Sequence, residues 1–210
     1  MAETPEKWEA PARGQKILLL LSTDADTVEW CRIAEAYTKT LFSDVQAVYW
    51  EVGTPFPDEV EQWEGDWILS FRGDLIVPER VYSRARKGAI NIHPSPPWFR
   101  GLGGQYYAIY ERHERYGSTC HHMAKSVDSG DIIDVRYFPI APGETVTSLR
   151  HHVGAVSLVQ YLDLVANYIA LDKPLPKSDE QWGDRLYTSA QLRTWLAEKR
   201  VSDPENNCFK

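Results

Sequence analysis

Five apolar residues in succession, Ile17, Leu18, Leu19, Leu20 and Leu21, leave no side chain to turn toward water. Such a run fits a strand covered on both faces, the centre of a parallel sheet flanked by helices. Val28, Cys31, Ala34, Tyr37 and Leu41 then recur at helical spacing, with Thr23 or Asp24 placed to cap that helix. The connecting loop has no glycine, which excludes a Walker loop and a dinucleotide fingerprint, since both need backbone to close on phosphate. Further strands are expected over 45–52 and 67–71, and a helix from Pro78 to a stop at Gly88 carries the basic run 80–87 against the sheet.

The fourth strand ends informatively. Ala89, Ile90 and Ile92 make it apolar, and Pro94, Pro96 and Pro97 terminate it because proline offers no ladder N–H. Asn91 and His93 therefore stand at a strand's C-terminal end, two residues apart and pointing the same way. Ligands of open α/β sheets bind at that edge. An amide and an imidazole converging there suit an oxyanion that develops during reaction. Strands at 117–126 and 132–140 follow, with a turn at Asp128, Ser129, Gly130 and Asp131 between them. Beyond it a helix over 147–171 carries Leu149, Val153, Val156, Val159, Leu162, Val165 and Ile169, and a short helix covers 189–199. The alternation predicts an α/β fold, a Rossmann-like doubly wound, mostly parallel sheet with a C-terminal helical extension.

Several classes are disfavoured. A net charge of −7 and the lack of a basic cluster interleaved with aromatics argue against nucleic acid. No apolar run approaches a membrane span, and residues 1–14 lack the apolar centre of a signal peptide; with Trp8 as the only anchor they read as a flexible arm. Cys31, Cys120 and Cys208 are scattered without paired spacing, so no metal is expected and a cytoplasmic location is. The long apolar helix leads us to expect a homodimer.

Asn91-Ile-His93-Pro-Ser, Arg100-Gly101, Gly117-Ser-Thr-Cys-His121 and Val127-Asp-Ser-Gly-Asp-Ile-Ile133 together resemble the core of the formyltransferases that use 10-formyltetrahydrofolate. The resemblance spans about 66–140, with 15–145 as the catalytic domain and 146–210 as its C-terminal helix and tail. It implies acyl transfer to an amine, with Asn91 and His93 on the oxyanion and Asp128 beside His93. Asp131 is the rival acid, and His121 falls on the family's strand histidine with its role open between structure and function. It also implies a pterin wall of Phe71, Leu75, Ile76 and Val77 facing Val127, Ser129 and Gly130. The loop after His93 departs from the family pattern, and acceptor contacts are assigned to Ser95, Trp98, Arg100, Tyr106 and Tyr107.

Among the family's branches, the glycinamide ribonucleotide enzyme needs a glycine-rich phosphate loop where this chain has Asp24 and Asp26. The initiator-tRNA enzyme carries a further C-terminal domain, and the hydrolase an N-terminal one. The remaining expectation is an acceptor of the nucleotide-linked amino sugar class. Another amine, or a folate-binding relative without turnover, stays open.

Overall fold

In a computed structural model of the protein, the structure describes residues 9–210. Strands β1 (Lys16–Ser22), β2 (Asp44–Trp50), β3 (Gly65–Phe71) and β4 (Ala85–His93) are mutually parallel, and β6 (Arg115–His122) and β7 (Ile132–Pro139) join antiparallel. The sheet order is β2-β1-β3-β4-β6-β7, which confirms a mostly parallel doubly wound sheet. A two-stranded ribbon pairs β5 (Arg100–Gly101) with β8 (Leu186–Tyr187).

The apolar run is divided by the strand's twofold period. Ile17, Leu19 and Leu21 enter one cluster with Cys31, Ala34 and Leu41 of helix α1 (Val28–Leu41), while Leu18 and Leu20 enter another with Val60, Trp63 and Val81. Each fully buried leucine contributes roughly 2 kcal/mol of transfer free energy. The second cluster is covered by the one-turn helices α2 (Asp58–Glu61) and α3 (Glu79–Tyr82). Helix α1 starts after Thr27, later than expected, because the Asp24 carbonyl takes the N–H groups of Thr27 and Val28 in a turn.

Two expectations need correction. The predicted helix to Gly88 stops at Tyr82, and Arg86, Lys87 and Gly88 belong to β4. Pairing with β3 and ion pairs from Arg86 to Asp66 and from Lys87 to Asp172 override helical propensity. The arm ends earlier than residue 14, since Ala10 and Ala12 are buried and the Ala12 N–H donates to the Ala170 carbonyl at 3.0 Å. Trp8 lies outside the described residues.

The long helix is α5 (Val146–Leu164), begun by a reciprocal Thr145–Ser148 cap and continued by a wide turn over Val165–Ile169. Its apolar face is covered by its own chain: Leu149 and Val153 are buried with Phe99 and Tyr107, Leu164 lies in the α1 cluster, and the Trp30 ring fills the notch at Gly154. Much of the surface on which a dimer was expected is thus occupied internally, while Val159 on the same helix stands 53% exposed. Helix α6 (Ser189–Ser202) and the turn Asn207–Phe209 extend the second face of this core beside α4 (Gly104–Tyr110).

Candidate active site

β4 and β6 run antiparallel with Asn91 directly opposite His121. That register places an amide and an imidazole side by side, with Asn91 Nδ2 3.2 Å from His121 Nε2. The segment after β6 returns so that Asp128 lies between two imidazoles. Its Oδ2 is 3.4 Å from His93 Nδ1 and its Oδ1 3.4 Å from His121 Nε2. All three side chains are buried. Asp131 is exposed and holds its loop through its carbonyl, which accepts the His122 N–H, so the geometry separates the two acids and brings Asp128 to the histidines.

Backbone carbonyls decide where the imidazole protons sit. His93 Nε2–H donates to the Phe99 carbonyl and His121 Nδ1–H to the His122 carbonyl, both at 2.8 Å, because a carbonyl can only accept. Of the two nitrogens facing Asp128, His93 Nδ1 is therefore open to a proton, while His121 Nε2 accepts from Asn91. Asn91 uses one amide N–H on His121 and has a second to offer. His93 does not present a free N–H beside Asn91, a departure from the paired donors expected from the sequence.

Burial pushes His93 below the ordinary histidine range, against the pull of Asp128 and the Phe99 carbonyl. Burial alone would raise Asp128, but His93, His121 and the Gly101 N–H, donating at 2.8 Å, hold it down to about 2. The cluster sets an ionised carboxylate between two imidazoles. A proton delivered there is shared at once.

The loop carrying Asp128 is fixed from outside. Asp128 adopts a left-handed φ of 47°, which aspartate tolerates better than most residues. Arg100 donates to the carbonyls of Asp128 (2.7 Å), Val127 (3.2 Å) and Gly183 (3.3 Å). Gly130 is packed so closely that a Cβ would lie 1.9 Å from the His122 carbonyl. Trp182 donates to the Gly130 carbonyl at 2.7 Å and sets its ring edge-on to His121, 4.9 Å between centroids.

The acceptor contacts expected from the sequence do not gather here. Ser95 is buried, bonded to the Tyr116 hydroxyl at 2.5 Å. Tyr107 is buried between Tyr187 and Trp195, ring centroids 4.4 and 4.6 Å away. Arg100 spends its guanidinium on backbone, Trp98 stacks on Tyr137, and Tyr106 is half-buried in the α5–α6 core. An aromatic-rich stretch after the histidine became core because α5, α6 and β8 cover it.

The proposed pterin wall fares unevenly. Phe71 is fully buried against Tyr161, so its ring is not a wall. Leu75 is buried, Val77 is half-buried, and Ile76 stands 72% exposed. The N–H groups of Leu75, Ile76 and Val77 donate to no group among the described residues. Across the edge, Val127 is exposed and the Ser129 hydroxyl donates to the Ser126 carbonyl. Among the described residues no group of three or more His, Cys, Asp or Glu side chains is arranged to hold a metal ion, and no helix is long and apolar enough to cross a membrane. Sequence reasoning missed Arg72; an arginine followed by glycine at the end of an apolar strand was the available signal.

Residues 53–162 match the family model described as Formyl transferase. The methionyl-tRNA formyltransferase of Ehrlichia canis is 35% identical over 136 residues, 58% of this chain and 44% of that protein. The chain spans less than half the length of the curated relatives it matches first. A sugar N-formyltransferase from Shewanella sp. FDAARGOS_354 superposes with a TM-score of 0.66 at 19% identity, covering 85% of this chain and 79% of that one. The formyltransferase PseJ from Anoxybacillus kamchatkensis, solved with UDP-4,6-dideoxy-4-formamido-L-AltNAc and tetrahydrofolate, gives 0.66 at 17% identity, covering 92% and 95%. The solved structures share the fold, and the family match over half of the sequence places this chain in the formyl transferase family.

Proposed function

We propose that the chain transfers a formyl group from 10-formyltetrahydrofolate to an amine, and that the acceptor is a nucleotide-linked amino sugar. The observation that carries the chemistry is Asp128 lying between His93 and His121 beside Asn91. The co-substrate supplies a formyl group on a nitrogen that can leave. The free N–H groups of 75–77 and the exposed Ile76 and Val127 fit a flat heterocycle held by backbone bonds and apolar contact.

Asn91 directs its remaining amide N–H at the formyl oxygen as that oxygen gains charge. The attacking amine forms its bond to the formyl carbon and gives its proton to the Asp128–His93 pair. The same proton then goes to the departing nitrogen as the old C–N bond breaks, so the site returns unchanged. His121, fixed by the His122 carbonyl, orients Asn91 and shares the charge of Asp128. Residues 15–145 and 146–210 work as one catalytic unit. A cytoplasmic setting suits the three free cysteines, and a homodimer would need a surface other than the covered face of α5.

The test is formyl transfer from 10-formyltetrahydrofolate to a panel of aminosugar nucleotides, with water as the alternative acceptor. Formylation of a panel member supports the reading, and turnover equal with and without it defeats it. A second acceptor, methionyl-tRNA, is favoured by the sequence match to enzymes of that name and belongs in the same panel.

A further inference from the structure

Arg72 follows Phe71 at the end of β3, and the register partner of Phe71 is Ile92, the residue before His93. Its φ of 56° is left-handed, which costs a non-glycine residue about 1 kcal/mol. The turn is held tightly, since a Cβ at Gly73 would lie 3.0 Å from Ser70 Oγ and 3.1 Å from the Leu20 carbonyl. Nη1 of Arg72 is buried and has no hydrogen-bond partner among the described residues.

The surrounding groups are already engaged. Asp74 accepts the Ser22 hydroxyl at 3.0 Å, and Asp24 pairs with Arg150 at 2.8 Å, with Asp26 adding a contact to Arg150 at 3.3 Å. Burial lowers the Arg72 pKa and the nearby Arg150 lowers it further, while Asp74 and Asp24 oppose the shift. Arg72 is also close enough to depress His93. Native proteins seldom leave a buried charged donor unpaired, because desolvation is then uncompensated. The planar guanidinium fork matches phosphate and carboxylate oxygens. An anion between two arginines would also relieve their mutual repulsion.

We propose that Arg72 anchors a phosphate or carboxylate group of the acceptor, which is therefore an anionic amine. The acids of the β1–α1 loop do not forbid this, because Arg150 pairs with both Asp24 and Asp26. Identification of the anion's carrier as the acceptor rests on the formyl-transfer reading. The oxyanion site itself does not.

The experiment is calorimetric titration of the whole chain with inorganic pyrophosphate and with malonate at constant ionic strength, for the parent, R72M and R72K. Saturable binding of at least one probe to the parent is expected, weakened at least tenfold in R72M and partly kept in R72K. Since R72M removes a partly buried charge whose Nη1 has no partner among the described residues, its melting temperature without ligand should equal or exceed the parent's. No saturable binding to the parent, or equal affinity in R72M, overturns the site. Melting several degrees lower in both R72M and R72Q makes Arg72 structural and does the same. Displacement of the probe by 5-formyltetrahydrofolate assigns the anion to the co-substrate and overturns the acceptor assignment. Arg72-dependent probe binding in a chain that formylates nothing removes the formyl-transfer reading and leaves the oxyanion site. Formyl transfer with an acceptor KM unchanged in R72M removes the site and leaves the reaction.

Discussion

Two clusters of charge share one edge of the sheet and are held in opposite ways. Around Asp128 each histidine has its outer nitrogen fixed by a carbonyl, and Arg100 binds the loop through three more. Around Arg72 the cation has Nη1 buried and unpaired, and the adjoining loop leaves Ile76 exposed. The first cluster is preorganised, as groups that stabilise developing charge must be. The second is incomplete without a ligand, as a recognition element can be at the cost of stability.

This contrast can be broken by removing one side at a time. Asn91→Ala, which takes away the free amide, should lower kcat about 10²- to 10³-fold, the range for loss of one oxyanion donor. Steady-state kinetics would check it, with little change expected in the melting temperature. Arg100→Met should cost up to about a hundredfold in kcat, because a displaced Asp128 loop misplaces the reacting groups. Arg100→Lys should not rescue it, since one ammonium cannot reach three carbonyls, and full activity in the lysine variant would mean that the clamp is dispensable.

Acid should separate the clusters next. The carboxyl of Asp128 has a folded pKa near 2, below its unfolded value, so its stabilisation is complete above about pH 4 and is lost as pH falls through about 2. His93 is also depressed, by burial, so its contribution is present above its unfolded value and is lost as pH falls through the lowered one. Both push the same way, and denaturant titrations should show stability declining on acidification, by roughly 2 kcal/mol for Asp128. In Asp128→Asn the steep part below pH 4 should be reduced. The smallest effect expected is for Tyr107→Phe. Its hydroxyl is buried without a partner, so removal should leave stability within about 0.5 kcal/mol or raise it, and leave kcat unchanged. A rise in acceptor KM would restore Tyr107 to the substrate site.

The sheet was legible because it is written in local signals. The run from Ile17 to Leu21 has one physical solution, and the prolines after His93 stop β4 where Asn91 and His93 must emerge. The Asp128 turn was legible from composition and motif register already favoured Asp128 over Asp131, and the folded chain brings only Asp128 to both imidazoles. Partners far along the chain were not legible. Whether Tyr107 faces a ligand or the core depends on Trp195 and Tyr187, some 80 residues later in sequence, and periodicity does not report such cover. The same holds for Arg100, assigned to the acceptor, whose carbonyl partners at 127, 128 and 183 converge only in the folded chain. Of the basic run at 80–87, only Arg80 is helical; the part from Arg86 was misread because pairing with β3 outweighs local helical preference.

Formyl transfer on this reading needs the Asp128–His93 pair to hold the proton, with Asp128 staying ionised beside the imidazole. Asp128→Asn keeps the shape, suits the left-handed backbone and removes only the charge. Single-turnover transfer from 10-formyltetrahydrofolate to the acceptor found in the panel, measured for parent and variant at matched folded fraction, tests it most directly. The account predicts a rate at least about 10²-fold lower in the variant. A rate within a few-fold of the parent would contradict it.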